Sequence, residues 1–144
     1  MGPHLEAVHH DGYDPAINSL FLPAIKVHGG SLVFLSGFTA APTYHDHPHR
    51  PEDFDTIPLD ADAQAELTFR HLDEALRAAG CGPSNVVCLT RFLVDVDGDQ
   101  DDINRRQGEY LGDHLPTSTT VEVSRLATDP RLRLEVQAIA VAPD

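Results

Sequence analysis

The stretch AQAELTFRHLDEALRAAGCGPSNVVCLTRFLVDV, Ala63 to Val96, decides the fold. Its first half places the apolar Ala65, Phe69, Leu72, Leu76 and Ala79 at helical spacing. Asp60 or Asp62 supplies an N-cap and Gly80 a stop, so a helix is expected across Asp60–Gly80. Its second half, from Ser84, is rich in valine, leucine and phenylalanine and has no helical period. That half reads as a strand. A strong helix feeding a strong strand is the unit from which an α+β layer is built.

Upstream, SLVFLSGFTA (Ser31–Ala40) reads as a strand bounded by HGG, and AIKVHGG reads as a strand running into a hairpin with it. Between that strand and the helix lies a loop over residues 41–60, rich in proline, histidine and aspartate. Downstream, DQDDINRRQGEYLGDHL reads as a short polar helix weakened by Gly108. TTVEVSRL and LRLEVQAIAVA are two further strands joined by the turn ATDPR. The expected order is β-β-α-β-α-β-β in one domain over residues 1–144, with residues 1–19 as an N-terminal extension. The fold class expected is α+β, a mixed sheet with two helices on one face. After Glu135 the last strand is almost continuously apolar, so both its faces need cover. Helices cover one face; a second copy of the chain is the expected cover for the other.

The composition bounds the partners. With 10 basic against 23 acidic residues the formal net charge is -13, which repels a phosphate backbone and an anionic membrane surface. Arg105 and Arg106 are adjacent but flanked by acids. No apolar run is long enough to span a bilayer, and the N-terminus lacks a basic and an apolar leader region, so a cytoplasmic location is expected. Cys81 and Cys88 are then free thiols, neither with a basic partner nearby.

Three features are candidates for chemistry. Glu135 interrupts an apolar strand, where a carboxylate must be hydrogen-bonded, paired or protonated. A raised pKa there suits proton transfer or the positioning of water; the competing reading is a charge on the strand's solvent side. Thr117, Ser118, Thr119 and Thr120 follow Pro116 at the mouth of a strand. They serve either as local backbone partners or as neutral donors to an uncharged oxygen. Ser118 is a candidate nucleophile with no neighbouring base evident in the sequence. His45, His47 and His49 alternate in the loop at a spacing compatible with zinc or nickel, but spacing in a loop fixes no geometry. No metal or cofactor is therefore assigned, and folding is expected not to require one. The loop's histidines also have a possible role as general bases over a cleft.

The motifs LVFLSG, AQAELTFRHLDEALRAAGCGPSNVVCLTRFLVDV, INRRQGEYLGDHLPTSTTVEVSRL and RLEVQAIAVAP, in this order, resemble the Rid (YjgF) family of reactive intermediate deaminases over roughly Leu20 to Pro143. The resemblance implies a chorismate-mutase-like fold and a homotrimer with a small-molecule cleft at each subunit interface. It also implies that Glu135 matches the family's acid and Asn104 the asparagine of the second helix. In the best-known branch an arginine two positions after the proline holds a substrate carboxylate; here Ser118 stands there. Pro23 stands where that branch uses a tyrosine. A hydroxyl lacks the guanidinium's fixed charge and bidentate fork. The substrate is therefore expected to lack that carboxylate or to find its anion partner elsewhere, at Lys26 or Arg91.

Two functions stay open at this point. One is an enzyme acting on a small imine, enamine or related nitrogen compound other than the usual amino-acid-derived one. Its catalytic candidates are Glu135 and Ser118, and its substrate-binding candidates Thr117, Thr119, Asn104, Pro23 and Arg91. The other is a ligand-binding or regulatory trimer without turnover. No nucleic-acid or membrane partner is expected.

Overall fold

The computed structural model describes Met1–Asp144. Its strands are β1 (Leu5–Val8), β2 (Ala24–Val27), β3 (Ser31–Phe34), β4 (Val86–Leu93), β5 (Thr117–Glu122) and β6 (Leu134–Ala142). Its helices are α1 (Ala61–Ala78) and α2 (Val96–Leu111). Four strands form one sheet in the order β3-β6-β4-β5, antiparallel except for the parallel β4–β5 pair, so the α+β mixed sheet is as expected.

Helix α1 forms where its stripe predicts. Asp60 caps it, accepting from the Ala63 N–H, and Gly80 turns the chain out at φ +75°. Ala65, Phe69, Leu72 and Leu76 are buried, whereas Ala79 falls at the C-cap and is exposed. Asp62 is not the cap; it pairs with Arg105 and Arg106 and ties α1 to α2. Helix α2 starts earlier than its polar sequence indicates, capped by Asp95, which accepts from the Gly98 N–H. It runs through Gly108 because Ile103, Gln107 and Leu111 anchor it on the sheet. Burial of a face outweighs the modest cost of one helical glycine.

One face of the sheet is therefore sealed. Leu134, Val136, Ala138 and Ala140 of β6 meet Leu89 and Leu93 of β4 and the two helices in a 16-residue core. The other face is largely open: Leu32 and Phe34 of β3 are 59% and 73% exposed, and Ile139, in register with Phe34, and Phe92, in register with Glu135, are half-buried, while Val141 at the far end of β6 is covered. A second apolar cluster, centred on Phe54, Ile57, Leu126 and Leu132, lies under the loop of residues 41–60. No helix is long and apolar enough to cross a membrane.

The N-terminal third departs from the expectation. Residues 1–19 include a strand, and β2 pairs antiparallel with β1 in a separate two-stranded sheet instead of forming a hairpin with β3. Gly30, at φ +93°, sets the break. A Cβ there would lie 2.3 Å from the Ala142 carbonyl oxygen, so the chain presses against the end of β6 as it passes from one sheet to the other.

Candidate functional site

The hydroxyl run lies where β5 runs beside β4, and its members divide by face. Thr117 Oγ1 donates to the Val87 carbonyl at 2.7 Å, beside the bulge between Val86 and Cys88. Its role is local. Ser118 and Thr120 register with Leu89 and Arg91 on the helix side, and Thr119 registers with Thr90 on the open side.

Ser118 and Thr120 line a groove of about 520 Å³ between α2, β5 and the chain at residues 17–21. The Leu22 N–H donates to the Pro116 carbonyl at 2.9 Å and fastens that segment to the mouth of β5. Arg91, Gln100, Asn104 and Gln107 complete the polar lining. Arg91 is 6% exposed and faces no carboxylate. Its Nε donates to Thr120 Oγ1 at 2.9 Å, and Nη1 donates to Asn104 Oδ1 at 2.7 Å and Gln107 Oε1 at 3.3 Å. Burial alone depresses its pKa. Neutral oxygens hold a desolvated cation whose Nη2 makes no hydrogen bond within the chain, an arrangement suited to an incoming oxygen. Asn104, Ser118 and Arg91 thus line one groove. Lys26, exposed on β2, does not line the groove. Ser118 meets no imidazole, carboxylate or amine in the lining, so its geometry supplies a hydroxyl donor without an activating base.

Pro23 lies in a neighbouring cavity of about 440 Å³ with Tyr13, Leu22 and Leu115; Ile17, Ser19 and Phe21 are shared by the two. Tyr13 stacks on His9, with centroids 3.8 Å apart. This aromatic stands near the Pro23 position, and sequence spacing gave no reason to look for it there.

Glu135 lies on the other side of the sheet. It registers with Phe92 on the open face, half-buried, and burial pushes its carboxyl above the usual carboxylate range with no neighbouring cation to offset the shift. It leans over Gly37, where an added Cβ would lie 2.6 Å from Oε2. Sequence reading did not single out Gly37 as the neighbour of this acid; its only signal was a glycine within the strand-like segment SLVFLSGFTA. Within one chain, then, the acid and the groove are on opposite faces. Both thiols are free, and burial raises the pKa of Cys81, which disfavours its nucleophilic form.

The family model described as Endoribonuclease L-PSP matches residues 16–142. Protein DfrA of Myxococcus xanthus is 35% identical over 138 residues, covering 95% of each chain. The 2-iminobutanoate/2-iminopropanoate deaminase of Rattus norvegicus is 32% identical over 91 residues, covering 63% of this chain and 64% of that protein. Among solved structures, E. coli TdcF with bound serine superposes with a TM-score of 0.63 at 31% identity, covering 78% of this chain and 81% of that one. The match over most of the chain, the shared fold and the ordered motifs agree: this chain belongs to the Endoribonuclease L-PSP family, which is the Rid (YjgF) family.

Proposed function

We propose that this protein is a Rid-type enzyme that deaminates a small imine, enamine or related nitrogen compound in a cleft completed by assembly of three chains. The observation that carries the reading is Glu135, an acid held partly out of water, with a raised pKa and no cation beside it. In its neutral form such a group protonates an imine nitrogen or an enamine carbon; as a carboxylate it takes a proton from water. Water adds to the C=N carbon, the C–N bond breaks, and ammonia leaves as a carbonyl forms.

Assembly supplies what one chain lacks. The open face that carries Glu135 also exposes Leu32, Phe34 and Val121, an apolar surface that favours a partner. A neighbour packed there would bring the edge of its own groove toward Glu135 and Gly37, so each site takes its acid from one chain and its polar lining from the next. We place this homotrimer in the cytoplasm, in keeping with its two free thiols.

Arg91 sets the substrate. It lies two residues beyond Ser118 in register along β5, about 6–7 Å at the usual rise per strand residue. An oxygen held by Arg91 is therefore displaced from the one an arginine at position 118 would hold. Imines of alanine, serine or leucine fit poorly; compounds whose acid or carbonyl oxygen reaches further fit better. Ser118 and Asn104 supply neutral contacts along the way, whereas Thr117, bonded to Val87, and Thr119, on the open side, lie outside the groove. The serine-bound TdcF relative supports a small polar ligand at this fold. A ribonuclease reading fits poorly with a net charge of -13 and an Arg91 already buried among neutral partners.

The separation of Glu135 from the groove within one chain favours a second reading, a ligand-binding trimer without turnover. A panel of imines generated in situ by an amino-acid oxidase distinguishes the two. Accelerated carbonyl release by the wild type, lost at least about 10²-fold in Glu135→Gln, supports the enzyme. No acceleration across the panel, or equal acceleration by the variant, contradicts it. Ligand binding without turnover that Glu135→Gln weakens supports the binding module.

A further inference from the structure

The loop of residues 41–60 gathers three imidazoles that the groove does not use. The rings of His45, His47 and His49 have centroids 5.1 Å (45–47), 5.0 Å (45–49) and 4.5 Å (47–49) apart. One ring nitrogen from each lies within 4.8 Å of the others. Each ring's surroundings indicate what the cluster does. His45 Nδ1 donates to the Pro42 carbonyl at 2.7 Å, which leaves the lone pair on Nε2. A backbone carbonyl on the far nitrogen is the usual way a protein orients a histidine ligand toward a metal. His49 Nε2 is sealed from solvent and has no partner in the chain. A shielded polar nitrogen left unsatisfied is uncommon and calls for an occupant.

The floor is fixed. Phe54, 1% exposed, sets its ring edge-on against His45 and His49 at 5.2 and 5.4 Å. Arg131 holds the same loop, donating to the Pro51 carbonyl at 2.7 Å and to Asp55 at 2.8 Å. His47 is the exposed member. In tetrahedral coordination at zinc–nitrogen distances near 2.0–2.1 Å, ligand nitrogens lie about 3.3 Å apart. Closing from 4.8 Å or less asks for a shift of at most about 1.5 Å between donor atoms.

We propose that His45, His47 and His49 form a binding site for a late first-row divalent metal ion, with zinc as the matching probe and water in the fourth position. An all-imidazole donor set suits zinc, nickel or copper and disfavours magnesium or calcium. The bound ion braces the loop over the Phe54 cluster, away from the groove and independently of any activity there. The sequence reading assigned no metal because alternation in a loop fixes no geometry; the Phe54 floor and the Pro42 carbonyl supply it.

Zinc titration by calorimetry on a chain without an affinity tag should give one ion per chain. Cobalt in its place should show the intense visible absorption of tetrahedral coordination. His47→Ala should weaken zinc binding at least about tenfold, while its melting in chelator matches the wild type, since His47 is exposed. His49→Gln should do the same, as a second variant should His47→Ala fold poorly. His9→Ala/His10→Ala, which removes the other histidine pair, should bind zinc as the wild type does. Failure of the wild type to bind zinc would overturn the proposal. So would unchanged affinity in both His47→Ala and His49→Gln, or loss of binding in the His9/His10 variant.

Discussion

Replacing Gly37 by alanine sets a methyl group against the carboxylate on which the proposed mechanism depends. The new Cβ would lie 2.6 Å from Glu135 Oε2, 2.7 Å from Cδ and 3.0 Å from Cγ. Ordinary contact begins near 3.4 Å, so the carboxyl must retreat by about 0.8 Å. Gly37 has no left-handed backbone angle, so alanine brings no φ strain of its own. The displaced atoms are the end of a flexible side chain, which puts the stability cost at the low end of overpacking, about 1 kcal/mol. Catalysis is far less tolerant: a misplacement of roughly 1 Å can cost about 10²-fold in rate. Gly37→Ala should therefore melt within a few degrees of the wild type and lose about 10² in kcat/KM on the best imine of the panel. Wild-type turnover in Gly37→Ala, in an enzyme that Glu135→Gln inactivates, would refute the geometric argument while sparing the acid. Wild-type turnover in both variants would make the acid structural.

Other outcomes follow from the same geometry. The folded pKa of Glu135 is raised by burial, so the folded state binds its proton more tightly than the unfolded chain does. Stability from this group is then fully present below the unfolded value near 4.5 and is lost as pH rises through that value toward the folded one. Glu135→Gln should accordingly gain in melting temperature over the wild type at neutral pH and not at pH 3, by a modest amount since the group is half-buried. Arg91→Met removes a desolvated charge along with its bonds to Thr120, Asn104 and Gln107, two effects that oppose each other, so stability should change by less than about 2 kcal/mol. Binding of a ligand whose carboxylate reaches further from its carbonyl should meanwhile fall by about 2–5 kcal/mol, measured by calorimetry with 4-oxopentanoate against the uncharged 2-pentanone; equal loss for both ligands would count against the charge. Phe34→Asp places a charge on the most exposed large residue of the open face and should turn a single trimeric species in sedimentation into monomer; a wild-type monomer would remove the shared-cleft account.

The parts of this fold legible in the sequence are those with long periodic signals. Helix α1 and strands β4 and β6 carry enough apolar residues on one face for the core to override local detail. Strand β1 was not legible: Leu5–Val8 is four residues long and its partner β2 is remote in sequence. The Gly29-Gly30 pair reads as a hairpin turn, yet Gly30 serves a close approach to β6. Glu135 was legible because a lone acid in an apolar strand needs an explanation. Arg91 was legible only as one candidate cation beside Lys26, since its setting rests on Asn104 and Gln107 one helix away, and on the absence of any acid beside it. The face that Ser118 shares with Arg91, opposite Glu135, follows from the β4–β5 and β4–β6 registers, which are tertiary facts.

The shared cleft is tested most directly by complementation in trans. Glu135→Gln and Arg91→Met are each expected to be inactive alone. When they are unfolded together and reassembled as a 1:1 mixture, half of the sites draw an intact acid and, independently, half draw an intact arginine. If those residues come from different chains, about a quarter of wild-type turnover should return. A mixture as inactive as its parents would contradict the account and place the acid and the groove in separate functions.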